Sequence, residues 1–288
     1  MNKDNENQQI VLKDGRALGY TEYGNKEGKP LFFFHGFPGS RFDWNYFDEE
    51  RTVVDKLNIR VITPDRPGMG LSDHKRGRKI LDWPNDVVEL ADALKLDRFA
   101  ILGISGGGPY ASACAYKIPE RIIKTAIISG MGPSEAPGIK DGTAWIFPGK
   151  NAVMRRLMLM LTAMGIRKQP DRIQSQITDS LKGPDKELFL KNPGIAEIVT
   201  KSWGEAFCAG IAGVNHDATL YTHPWRFRLQ DINTEVFLWH GDQDYNVPIS
   251  VGRYVAEAIP NCKATFVENE GHFSLAYQYL EECLNTLI

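Results

Sequence analysis

Short unbroken apolar runs alternate with longer stretches in which apolar residues recur at helical spacing. The runs are Leu31–Phe34, 60–63 (Arg-Val-Ile-Thr), Phe99–Leu102, Thr125–Ile128, 235–239 (Glu-Val-Phe-Leu-Trp) and 264–267 (Ala-Thr-Phe-Val). Runs of this length without polar alternation predict strands covered on both faces. Between them, segments such as 86–94 (Asp-Val-Val-Glu-Leu-Ala-Asp-Ala-Leu) carry an apolar stripe suited to a helix packed on a sheet. The alternation predicts an α/β fold with a mostly parallel sheet flanked by helices. Upstream, Asp14-Gly15 stands between two short apolar runs of residues 9–20 and predicts a β-hairpin, hence an antiparallel edge.

The strand pattern stops near Pro133 and resumes near Thr234. In that interval Met, Trp and Phe appear in helix-like segments, which predicts a helical insertion over 133–233 in a core made of 1–132 and 234–288. Turn-rich residues 132–138 and 231–234 suit the two crossings.

The most informative local pattern is Gly103-Ile-Ser-Gly-Gly-Gly108, directly after one predicted strand and before a helix. Glycines around Ser105 let the backbone close into a tight turn while the hydroxyl projects, and the following helix start favours negative charge. That combination suits a serine nucleophile in acyl transfer. The same glycines resemble a dinucleotide-binding turn, but residues 125–130 lack the acidic residue that reading requires.

A serine hydroxyl needs a base, and a histidine oriented by a carboxylate is the common solution. Of six histidines, His272 follows the last predicted strand, where loops of a parallel sheet gather around a crevice. His35 and His240 each precede a glycine at a strand end and are expected to brace turns. Asp242 and Asp244 both lie in the loop after residue 240, and spacing does not separate them. For the developing oxyanion, the backbone amides of Gly106 and of Phe37, in the loop 35–40, are the expected donors.

Composition narrows the function further. The 288 residues carry 34 basic and 36 acidic side chains with no basic block, so nucleic acid is not an expected partner. The four cysteines, Cys114, Cys208, Cys262 and Cys283, lack paired metal spacing, and no metal or cofactor is expected. The polar start of the chain and the absence of a long apolar span predict a cytoplasmic protein with a small-molecule substrate and no membrane partner.

Four motifs in order, His35-Gly-Phe-Pro-Gly, residues 65–72 (Asp-Arg-Pro-Gly-Met-Gly-Leu-Ser), Gly103-Ile-Ser-Gly-Gly and residues 240–248 followed by Gly271-His272, resemble the α/β-hydrolase superfamily. The resemblance is to the branch with a helical cap after the sixth strand. It implies Ser105, Asp244 and His272 as a catalytic triad, thereby choosing Asp244 over Asp242. It also implies a structural role for the 65–72 loop. Haloalkane dehalogenases and epoxide hydrolases of this fold place an aspartate where Ser105 stands. Proline iminopeptidases usually carry a different elbow, Gly-Gly-Ser-Trp-Gly, whereas esterases and cofactor-free haloperoxidases keep this triad. The expected activity is hydrolysis of a small to medium, uncharged carboxylic ester. Peptidase or perhydrolase activity, and a small-molecule receptor on the same fold, are the alternatives.

In capped relatives the insertion roofs the pocket. Met154, Leu157, Met158, Leu161 and Met164 recur at helical spacing, and Trp203 and Phe207 form an i, i+4 pair. Met158, Leu161, Trp203 and Phe207 are accordingly expected to line the pocket.

Overall fold

The computed structural model describes residues 7–47, 52–145 and 149–288. Most of the polar start of the chain, on which the expected location rests, lies outside them. The apolar runs form one eight-stranded sheet in the order β1-β2-β4-β3-β5-β6-β7-β8. The strands are β1 (Gln8–Val11), β2 (Ala17–Gly24), β3 (Lys29–Phe34), β4 (Ile59–Pro64), β5 (Phe99–Ile104), β6 (Ile122–Ile128), β7 (Val236–Gly241) and β8 (Cys262–Val267). β1 and β2 pair antiparallel around Gly15, whose φ of +85° suits a residue without Cβ, and β2 pairs antiparallel with β4. All other pairings are parallel.

The helices are α1 (Trp44–Phe47), α2 (Thr52–Leu57), α3 (Trp83–Ala93), α4 (Gly108–Lys117), α5 (Ala152–Lys168), α6 (Pro170–Ser180), α7 (Gly183–Lys191), α8 (Gly194–Ala206), α9 (Ala212–Tyr221), α10 (Ile249–Ala258) and α11 (His272–Leu287). Strand pleating divides the core. Phe32, Phe34 and Ile101 join α3, α4 and α10 on one face, while Leu31, Phe33 and Leu102 join α1 and α11 on the other. β8 departs from the expectation of two covered faces. It is the edge strand, and Lys263 to Phe266 are exposed.

Helices α5 to α9 all fall between β6 and β7. They join the core through both apolar packing and buried charge. Ile177, Leu188, Phe189 and Val199 complete the cluster on the α11 face. On α9, Asp217 is fully buried and ion-pairs with two buried arginines of the core, Arg66 at 2.6 Å and Arg78. Tyr110, on α4, donates to the same carboxylate at 2.6 Å. Burial works against the charged form, but the two guanidiniums outweigh it and hold Asp217 far below the ordinary carboxylate range.

Removing one partner of a buried ion pair strands the other charge, at a cost of about 3–5 kcal/mol. Asp217→Ala leaves two such arginines, so urea unfolding of this variant will show a loss of stability of at least that order.

Candidate active site

β5 delivers Ser105 to the carboxyl end of the sheet, and the chain reverses into α4 immediately afterwards. Ser105 has φ of +50°, a left-handed conformation that a non-glycine residue holds only when its surroundings enforce it. The neighbours explain how. A Cβ on Gly107 would stand 2.2 Å from the Phe34 carbonyl oxygen, and one on Gly103 would stand 2.8 Å from the Ala111 Cβ. Strand, turn and helix are therefore in closer contact than any side chain there permits.

His272 is the first residue of α11, and its Nδ1 donates to Asp244 Oδ2 at 2.8 Å. Asp244 is itself fixed by the loop it starts, because Oδ1 accepts the amides of Asn246 (2.9 Å) and Val247 (2.8 Å). Asp242, which spacing left as an equal candidate, is exposed and accepts the amide of Asn269 instead. Burial disfavours the charged form of both triad candidates. The attraction between them prevails, so Asp244 lies below its ordinary pKa and His272 above it. Ser105 and His272 line one cavity. Among the described residues neither Ser105 Oγ nor His272 Nε2 has a hydrogen-bond partner, a looseness common before substrate binds.

The loop after β3 is held from outside. Arg66 donates to the carbonyl oxygens of His35 (2.6 Å) and Gly36 (2.7 Å), and its own amide donates to His35 Nε2 at 3.3 Å. Burial and the nearby Arg66 charge push His35 well below its ordinary pKa, so it is neutral and its Nδ1 donates to Gly36 O at 3.0 Å. Because a peptide is planar and trans, pinning the Gly36 carbonyl on Arg66 turns the Phe37 N–H away from that side chain. The Ser105 carbonyl likewise accepts the Met131 amide at 2.9 Å, which fixes the direction of the Gly106 N–H. The two amides are neighbours, since a Cβ on Gly106 would lie 3.2 Å from Phe37 N.

The cavity holds about 270 Å³, and its walls are mostly apolar, with Phe37 and Ile104 from the core facing Ile177, Leu181, Val199 and Trp203 from the insertion. Two polar residues, Asp43 and Ser202, line it beside the Phe37 loop. Burial pushes the Asp43 carboxyl up to about 6, against the opposing hydrogen bonds from Ser202 Oγ and the Gly36 amide.

Of the four residues expected to line the pocket, the structure places only Trp203 there. Met158 is half-buried on α5, Leu161 is 53% exposed, and Phe207 packs against Leu159 and Val214 of the insertion and Met69 of the core. The helical period is correct, but α5 turns those positions away from the cavity. Val199, one turn before Trp203 on α8, is the lining residue that the same spacing could have found.

Sequence reasoning also missed Asp185. This α7 side chain is 2% exposed and accepts the amides of His272 (2.9 Å), Phe273 (2.8 Å) and Ser274 (2.9 Å). It caps α11 from a different helix, at the turn that carries the imidazole. No local pattern announces such a contact, because its partners are main-chain groups 87 to 89 residues away. His35 and His240 brace turns as expected, with His240 Nε2 donating to the Val247 carbonyl at 2.7 Å. Among the described residues no cluster of three or more metal-ligating side chains exists.

With this geometry in place, comparison with known proteins assigns the family. A model described as the alpha/beta hydrolase family matches residues 31–284. The chain belongs to the alpha/beta hydrolase family. Within it, this hydrolase is 28% identical over 276 residues to a 2-hydroxy-6-oxo-2,4-heptadienoate hydrolase of Pseudomonas putida, covering 92% of this chain and 89% of that one. It is 24% identical over 275 residues, 88% of each chain, to a bifunctional esterase/perhydrolase of Acinetobacter calcoaceticus. A non-heme chloroperoxidase of Streptomyces lividans is 33% identical over 126 residues, 45% of its length. Among solved structures, a thermophilic esterase of Thermogutta terrifontis shares the fold at a TM-score of 0.69 and 20% identity, over 97% of this chain and 96% of that one.

Asp185 supplies negative charge near His272 and so helps to raise its pKa. Asp185→Asn will lower the His272 pKa in an NMR titration. Asp185→Ala, which deletes all three acceptor contacts, will cost about 2 kcal/mol or more of stability in denaturant unfolding.

Proposed function

We propose that this hydrolase cleaves small to medium, uncharged carboxylic esters through an acyl-enzyme on Ser105. The observation that carries the reading is the placement of Ser105 and the Asp244-bound His272 on one cavity, beside the two oriented amides of Phe37 and Gly106. His272 takes the Ser105 proton as Oγ attacks the ester carbonyl, and the negative oxygen that forms is stabilised by the Phe37 and Gly106 amides. The imidazolium, favoured by Asp244, returns the proton to the departing alcohol. Water then repeats the attack with His272 again as base, and the acid leaves.

The cavity wall supports an uncharged substrate. Among the described residues no Lys or Arg lines it to pair with a free carboxylate, and Asp43 would repel one when ionised. In this reading the insertion serves as the cap, with Ile177, Leu181, Val199 and Trp203 as the apolar roof. The name of the Acinetobacter calcoaceticus relative favours one extension, in which hydrogen peroxide replaces water in resolving the acyl-enzyme.

Hydrolysis of p-nitrophenyl acyl esters tests the proposal. The native protein will turn them over with a preference for short or medium chains, and Ser105→Ala will lower kcat by about 10⁴-fold or more. Absence of turnover, or full activity in Ser105→Ala, would remove it. The pH profile supplies a second check. The base must be neutral to act, and His272 lies above the ordinary imidazole pKa of about 6.5, so the acid limb of kcat/KM will fall above that value. Asp244→Asn will move the limb downward.

A further inference from the structure

The side of α5 that faces away from the protein interior is as apolar as its buried side. Val153 is 80% exposed, Met160 57%, Leu161 53%, Leu157 49%, Met164 47% and Met154 46%. At about 100° per residue these side chains share an arc of about 120°. The opposite side, with Leu159 and Ile166, packs against Ala206, Phe207 and Val214 of the insertion and Met69 of the core. A contiguous apolar stripe of this kind marks an interaction surface rather than scattered exposure.

Charge identifies the partner. Residues 150–170 contain Lys150, Arg155, Arg156, Arg167 and Lys168 and no acidic residue, in a chain whose net charge is −2. Arg155 turns inward to Asn215 and Thr219. The other four cations are exposed, and none pairs with an acid among the described residues. Arg156 flanks the stripe, and Arg167 and Lys168 close its end on the same side of the helix. A second copy pairing α5 with α5 would set cation against cation. Antiparallel pairing centred between Leu157 and Met160 brings Lys150 opposite Arg167, and parallel pairing brings Arg167 opposite its own copy. An anionic, apolar partner satisfies both stripe and flanks. Three of the six side chains are methionines, unbranched and adaptable, which suits a fluid surface more than a fixed protein relief.

We propose that α5 is a docking face for a lipid surface carrying acidic headgroups, with the apolar stripe entering the headgroup boundary and Arg156, Arg167 and Lys168 reaching the phosphates. No helix among the described residues is long and apolar enough to cross a membrane, and docking along a surface needs none. The expectation of no membrane partner rested on that criterion, which does not bear on a helix lying in the interface.

Co-sedimentation of the full chain with lipid vesicles tests the proposal independently of any esterase activity. The protein will sediment with vesicles of phosphatidylcholine mixed with phosphatidylglycerol, weakly or not at all with phosphatidylcholine alone, and less as salt rises. Leu157→Glu with Met160→Glu, and separately Arg167→Glu with Lys168→Glu, will each lower the bound fraction by about tenfold or more while the melting temperature holds. Sedimentation with neither vesicle, or equally with both, would overturn it. So would a dimer, measured by light scattering, that Leu157→Glu with Met160→Glu dissolves.

Discussion

The site depends on the buried meeting of Asp217 with Arg66 and Arg78. Arg66 spends one nitrogen on Asp217 and the other two on the carbonyls of His35 and Gly36. The carboxylate thereby orients the guanidinium, the guanidinium orients the peptide, and the planar peptide turns the Phe37 amide away from Arg66. Tyr221, one turn after Asp217 on α9, donates to the Gly106 carbonyl at 2.9 Å, so the same helix also steadies the turn at Ser105. A network of this kind costs desolvation, and its return is geometric definition of groups that would otherwise be free to rotate.

The helical insertion thus contributes to the candidate site. Asp217 on α9 reaches the loop after β3 through Arg66, and Asp185 on α7 holds the first turn of α11 where His272 begins. Ser202 on α8 completes the arrangement by donating to Asp43, whose other oxygen accepts the Gly36 amide. Asp217 and Ser202 approach the loop after β3, and Asp185 approaches the start of α11, all from the same inserted stretch of chain. Displacing the insertion would remove together the contacts that hold the start of α11 and the loop after β3.

The parts of this arrangement that a linear pattern encodes were legible. Six apolar runs marked β3 to β8, and the Asp-Gly turn marked the antiparallel hairpin, because strand burial and turn conformation are local properties. Ser105 was visible because its turn needs glycines at fixed offsets. Choosing Asp244 over Asp242 required family resemblance, since both sit in one loop and only the fold turns one inward. Asp185 and Asp217 left no trace, as their partners lie far away in sequence. Three of the four expected pocket residues were misplaced, and for the two on α5, Met158 and Leu161, the reason is related. α5 has two apolar sides, and a period of 3.6 residues does not say which of them meets the core. β8, read as covered on both faces, is exposed because it ends the sheet.

The measurement that bears most directly on the account is the crystal structure of the protein after reaction with diethyl p-nitrophenyl phosphate, a neutral organophosphate that phosphorylates activated serines. The expected result is a covalent bond to Ser105 Oγ, with the phosphoryl oxygen within hydrogen-bond distance of the Phe37 and Gly106 amides and His272 Nε2 facing the adduct. An unmodified Ser105, or an adduct whose phosphoryl oxygen points away from both amides, would contradict it.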